Sequence, residues 1–105
     1  MRRPQIVKEI TDIMRQNFPQ AETYLYGSEA RGEARHDSDI DLLILLPDTL
    51  SRKEFVDLKY AIFDKVFDVE FSHAANISPL ILQKNTWYAR KTPFTVNVTN
   101  DRIKL

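Results

Sequence analysis

The chain has 105 residues, no cysteine, and 15 basic against 15 acidic residues, for a formal net charge of zero. That length supports one modest core, so residues 1–105 read as a single domain. Disulfides and thiolate metal sites are excluded, a dedicated duplex nucleic-acid binder is disfavoured by the missing basic excess, and no leader or membrane-spanning run is visible, which makes the cytoplasm the expected compartment.

Pro4 to Phe18 reads as an amphipathic helix, with Ile6, Ile10, Ile13, Met14 and Phe18 near helical spacing and Pro19 as its stop. Thr23 to Tyr26 is rich in β-formers and reads as a short strand, broken by Gly27-Ser28. A short helix fits Glu29 to Arg35, with a polar loop running on to Ser38. Asp39 to Leu46 is the strongest strand, apolar at every position after Asp41, as expected for a strand covered on both faces. Pro47-Asp48 ends it, and Ser51 with Glu54 forms a capping box for a helix carrying Phe55, Leu58, Ile62 and Phe63.

Val66 to Ser72 alternates apolar and polar residues and reads as a third strand, with Asp68 and Glu70 on one face. Ser78-Pro79 opens a short helix or a loop. Leu80, Ile81, Leu82, Trp87 and Tyr88 read as core or interface, and Phe94 to Val98 as a further strand. Helices alternating with strands indicate a small α/β (α+β) domain with a central mixed sheet of three to five strands.

Chemistry concentrates between Gly27 and Asp41. Asp39 and Asp41 flank one isoleucine at a strand mouth, so they share a face while Ile40 points to the core. Their Cα atoms should lie about 6.5–7 Å apart, a separation from which two carboxylates can converge on one ion or bridge two. Magnesium suits such oxygen ligands and completes its shell with water and substrate phosphate. Asp68 and Glu70 are the candidates for a third carboxylate. Gly27 lacks the Cβ that would keep a phosphate from the backbone. Ser28 adds a hydroxyl, and Arg31 and Arg35 could neutralise a polyphosphate. The plainer alternative makes the two arginines surface residues paired with Glu29 or Glu33, and Asp68 and Glu70 an exposed edge.

Gly27-Ser28 through Asp39-Ile40-Asp41 resembles the signature of the DNA polymerase β-like nucleotidyltransferase superfamily, and the short length resembles its minimal nucleotidyltransferase (MNT) family. The likeness covers Tyr24 to Ser72 best. The closing stretch from Trp87 to Leu105 is also similar to the tail of small stand-alone members. The resemblance implies that Gly27 and Ser28 grip a nucleoside triphosphate. It implies that Asp39 and Asp41, with Asp68 or Glu70 on a following strand, bind two Mg2+ ions and carry catalysis. It further implies transfer of a nucleoside monophosphate such as AMP from ATP or another NTP to a hydroxyl, and a HEPN-domain partner protein in a toxin–antitoxin pair.

Rival motifs fail. Glu33-Ala34 follows Gly32 where a phosphate-binding loop needs Lys and Ser/Thr, and two glycines cannot make the dinucleotide fingerprint. No G-x-S-x-G elbow is present, and two histidines without cysteine do not suggest zinc. The expectation is therefore a magnesium-dependent nucleotidyltransferase acting on a partner protein. Its rivals are a non-catalytic antitoxin that works by contact and an enzyme acting on nucleic-acid ends, the latter weakened by neutral charge. Homo- and hetero-oligomers are both compatible with the sequence.

Overall fold

A computed structural model describes residues 1–105. The elements run α1 (Pro4–Asn17), β1 (Glu22–Tyr26), α2 (Gly27–Ala30), β2 (Ile40–Leu46), α3 (Arg52–His73), β3 (Ile77–Gln83), α4 (Lys84–Ala89), α5 (Pro93–Asp101) and β4 (Ile103–Lys104). One mixed sheet has the order β3-β2-β1-β4. β1 is antiparallel to β2 and β4, and β2 is parallel to β3. The sheet and flanking helices match the expected small α/β architecture.

Strand β2 organises the molecule because both of its faces are covered. Ile40, Leu42, Ile44 and Leu46 pack with Val7, Ile10 and Met14 of α1 and Ile62, Val66 and Val69 of α3. Leu43 and Leu45 point the other way, into a smaller cluster with Tyr24, Trp87 and Val98. Alternation along β2 therefore assigns α1 and α3 to one layer and α4 and α5 to the other. No helix is long and apolar enough to cross a membrane.

Three expected elements change type. Val66 to Ser72 is not a strand but the last two turns of α3, which runs unbroken from the Ser51–Glu54 capping box to Ala74 in a left-handed conformation. The buried residues Ile62, Val66 and Val69 follow a helical period. The alternating pattern that suggested a strand counted Phe67 and Phe71, both of which are exposed. Ser78-Pro79 lies in β3 rather than in a helix or loop. Proline is tolerated there because β3 is an edge strand and need not donate on its open side. Phe94 to Val98 is helical in α5: a reciprocal Thr92–Thr95 capping box with Pro93 in the first turn overrides the β-branched residues. The short helix expected over Glu29 to Arg35 starts earlier and stops sooner, at Gly27–Ala30.

Candidate active site

The end of β1, the start of β2 and the start of β3 meet on one side of the sheet. Tyr26 is paired in register with Asp41, and Asp41 with Ser78. Asp41 shares strand parity with Leu43 and Leu45, so it lies on the α4/α5 side, and Asp39 precedes it by one strand repeat. Asp39 is exposed and Asp41 is half-buried. Burial raises the Asp41 carboxyl above its ordinary range. The neighbouring Asp39 charge adds to that rise, and Arg31 opposes it.

Gly27 is in the left-handed region at φ 73°, where side chains are strained. A Cβ built there would stand 2.4 Å from Asp41 Oδ2. The backbone at the Gly27-Ser28 turn therefore lies directly against the carboxylate, a closeness only glycine permits. Ser28 follows in the first turn of α2, whose amides have no acceptor within the helix.

Behind the turn, the Glu29 carboxylate is fully buried. It accepts hydrogen bonds from the backbone N–H of Arg2, from that of Arg3 at 2.9 Å, and from Arg3 Nε at 2.6 Å. Desolvation alone would raise its pKa, but these donors outweigh burial and hold it below the ordinary value. The N-terminal segment is thereby clamped to the helix that carries Ser28.

Arg31 pairs with Glu33 at 3.1 Å and with Asp101 at 2.8 Å, which ties the turn to the end of α5. The plainer expectation for Arg31 thus describes its contacts, although it also acts electrostatically on Asp41. Arg35 is exposed. It lines a cavity of about 420 Å³ with Arg2, Arg3, Glu33, Ala34 and His36.

Asp68 and Glu70 do not join Asp39 and Asp41. Both lie on α3, in the opposite layer, where Asp68 is exposed and Glu70 accepts from the backbone N–H of Ile77 at 3.3 Å. No group of three or more His, Cys, Asp or Glu side chains is placed to hold a metal ion. The residue beside the aspartates on β3 is Ser78, whose Oγ donates to Asp39 Oδ2 at 3.3 Å. Reading Val66 to Ser72 as the third strand hid it; the Ile-Ser-Pro-Leu-Ile-Leu run, apolar after Pro79, was the available signal.

Tyr26 was also missed as a site residue. Its ring meets Phe94 edge-on at 6.0 Å, and Phe94 meets Trp87 at 6.2 Å. This aromatic wall adjoins Asp41. The Tyr26 hydroxyl is raised above its ordinary pKa, first by burial and then by the Asp41 charge.

The donor set suits a divalent cation in part. Two carboxylates and a serine hydroxyl are hard oxygen groups that leave most of a magnesium shell to water and phosphate. A cage of three carboxylates around two ions is not built here.

No curated protein matches the chain. Similar folds occur in a toxin–antitoxin structure with AMP-PNP (TM-score 0.61, 19% identity, 92% of this chain and 69% of that chain). A candidate minimal nucleotidyltransferase is similar over 100% of this chain and 97% of that chain (TM-score 0.62, 20% identity). A candidate nucleotidyltransferase from Sulfolobus solfataricus is similar over 95% and 76% (TM-score 0.60, 23% identity). At these identities the likeness is one of fold. The model of the nucleotidyltransferase domain family matches residues 7–104, nearly the whole length over which the sheet, the Gly27 turn and the aspartate pair are laid out, and the chain belongs to that family.

Proposed function

We propose that the chain transfers a nucleoside monophosphate, AMP as the leading candidate, from a nucleoside triphosphate to a hydroxyl of a partner protein, as the antitoxin of a HEPN-type toxin–antitoxin pair. The observation that carries the reading is the contact of the Gly27 backbone with Asp41. Phosphates laid on the Gly27-Ser28 turn come directly against the Asp39–Asp41 pair.

In this reading Ser28 and the first-turn amides hold the terminal phosphates. Asp39 and Asp41 would hold magnesium brought with the nucleotide, and Ser78 orients Asp39 through its hydrogen bond. Bound magnesium would supply charge neutralisation at the phosphates. The acceptor hydroxyl oxygen attacks the α-phosphorus in line and gives up its proton to solvent, its bond to phosphorus forms as the bond to the bridging oxygen breaks, and pyrophosphate leaves. Positioning and electrostatics supply most of the acceleration. The toxin–antitoxin structure with AMP-PNP supports both the nucleotide and the protein partner as candidates for this chain.

A second reading, an antitoxin acting by contact alone, is favoured by one observation, the missing third carboxylate. One experiment separates the two. The chain is incubated with labelled ATP, magnesium and the protein encoded beside it, and Asp39→Ala/Asp41→Ala is run in parallel. Label on a partner hydroxyl, lost by about a thousandfold or more in the double variant, is the expected result for electrostatic groups of this kind. Full neutralisation of the partner by the folded double variant would establish the contact reading instead. Label on a nucleic-acid end with none on protein would overturn the choice of acceptor.

A further inference from the structure

One buried side-chain nitrogen in the molecule lacks a hydrogen-bond partner, Nη2 of Arg3. Arg3 engages Glu29 through Nε at 2.6 Å, and its side chain is only 15% exposed. A buried guanidinium nitrogen without an acceptor costs free energy that an incoming acceptor recovers.

Arg3 lines the cavity of about 420 Å³ that it shares with Arg2, Glu33, Ala34, Arg35 and His36. Three guanidiniums and an imidazole therefore meet one carboxylate, and that carboxylate is held by Arg31 at 3.1 Å. Glu29, behind them, is fully buried and committed to Arg3 Nε and to the backbone amides of Arg2 and Arg3. Arg2 Nε donates to a neutral acceptor, the Gly32 carbonyl, at 3.0 Å. Neither Arg2 nor Arg35 takes part in any ion pair. Like charges gathered around one cavity repel, and an anion placed among them turns that repulsion into attraction.

The donors name the ligand class. Guanidinium forks match pairs of phosphate oxygens. A phosphate group brings three acceptor oxygens and about −1.5 to −2 charges near neutral pH, which balances the two arginines without carboxylate partners. We infer that this cavity binds a phosphate group, free or carried by a small molecule, between Arg2, Arg3 and Arg35.

The cavity lies at the start of α1, whose N-cap is Arg3. Helix α1 packs on the sheet face opposite the side of Asp39 and Asp41, so the phosphate site is separate from the aspartate pair and does not depend on transfer chemistry. The Arg35 backbone N–H donates to Ser38 Oγ at 2.9 Å, and Ser38 directly precedes Asp39. A phosphate tying Arg35 to Arg2 and Arg3 steadies the loop that runs into the first aspartate.

Isothermal titration of the full chain with inorganic phosphate, in metal-free buffer, tests the site. One equivalent should bind in the millimolar range or tighter. Arg2 and Arg35 are exposed, so Arg2→Ala/Arg35→Ala should keep its circular dichroism. It should weaken phosphate about tenfold or more, as loss of hydrogen bonds from charged donors does. Asp39→Ala/Asp41→Ala should bind phosphate at least as tightly as the wild type. Amide hydrogen exchange over residues 33–38 should slow with phosphate in the wild type and not in the arginine variant. AMP titrated alongside distinguishes the carriers: tighter binding of AMP assigns a nucleotide's phosphate, and tighter binding of inorganic phosphate assigns the free ion. Heats that never saturate overturn the inference, as does binding indifferent to the arginine substitutions. Loss of binding in the aspartate variant would place the phosphate at the catalytic pair instead. A chain that transfers no nucleotide leaves each of these outcomes readable.

Discussion

At the scale of single residues, the site depends on the absence of one side chain. Gly27 is both left-handed and in contact with Asp41. Gly27→Ala should cost about 1–2 kcal/mol from the backbone conformation alone. It should also push the Asp41 carboxylate aside, so nucleotide transfer should fall further than the drop in thermal midpoint accounts for. Parallel melting and initial-rate measurements check this; an active Gly27→Ala protein would remove the turn from the phosphate path. The Gly27-Ser28 and Asp39-Ile40-Asp41 motifs were legible because strand alternation is a local rule. Ser78 was not legible, since its place beside Asp41 depends on pairing between β2 and β3, 39 positions away from Asp39.

At the scale of elements, α5 joins the site to the rest of the chain. Its capping box fixes where the helix starts, and its last residue, Asp101, binds Arg31 at 2.8 Å. Thr92→Ala should cost about 1 kcal/mol, the usual loss for a helix cap. Faster amide hydrogen exchange should be confined to residues 93–101, with the β2 amides unaffected. Sequence reading made this segment a strand because Phe94, Val96 and Val98 are β-formers, yet propensity is weaker than a complete cap backed by a buried face. Helix α3 teaches the complementary lesson. Its C-terminal turns alternate like a strand only because Phe67 and Phe71 are apolar without being buried, so hydrophobicity was a poor proxy for inside and outside there.

At the scale of the whole molecule, the buried Glu29–Arg3 pair links the first residues of the chain to the turn at the site. Its donors hold the carboxyl of Glu29 below the ordinary glutamate value. A carboxyl whose folded pKa is depressed contributes stability that is fully present above its unfolded pKa and is lost as pH falls through the folded one. The chain should therefore lose stability as pH drops below about 4.5. Glu29→Gln should be destabilised by about 3 kcal/mol at pH 7, as expected when one partner of a buried pair is removed. Its stability should also vary less across the acid range. Urea unfolding at neutral and acid pH measures both; equal pH slopes for the two proteins would remove Glu29 from the acid response.

Local patterns were sufficient to establish the family signature, the doubly covered strand β2, helix α1 and the Ser51–Glu54 start of α3, because each follows from spacing within a few residues. Packing alone decided that Asp68 and Glu70 belong to a helix in the layer away from the paired aspartates, and that Ser78 takes the place beside them. Long-range strand pairing and the choice of sheet face are set by how distant segments bury one another, and spacing along a chain carries no record of that choice.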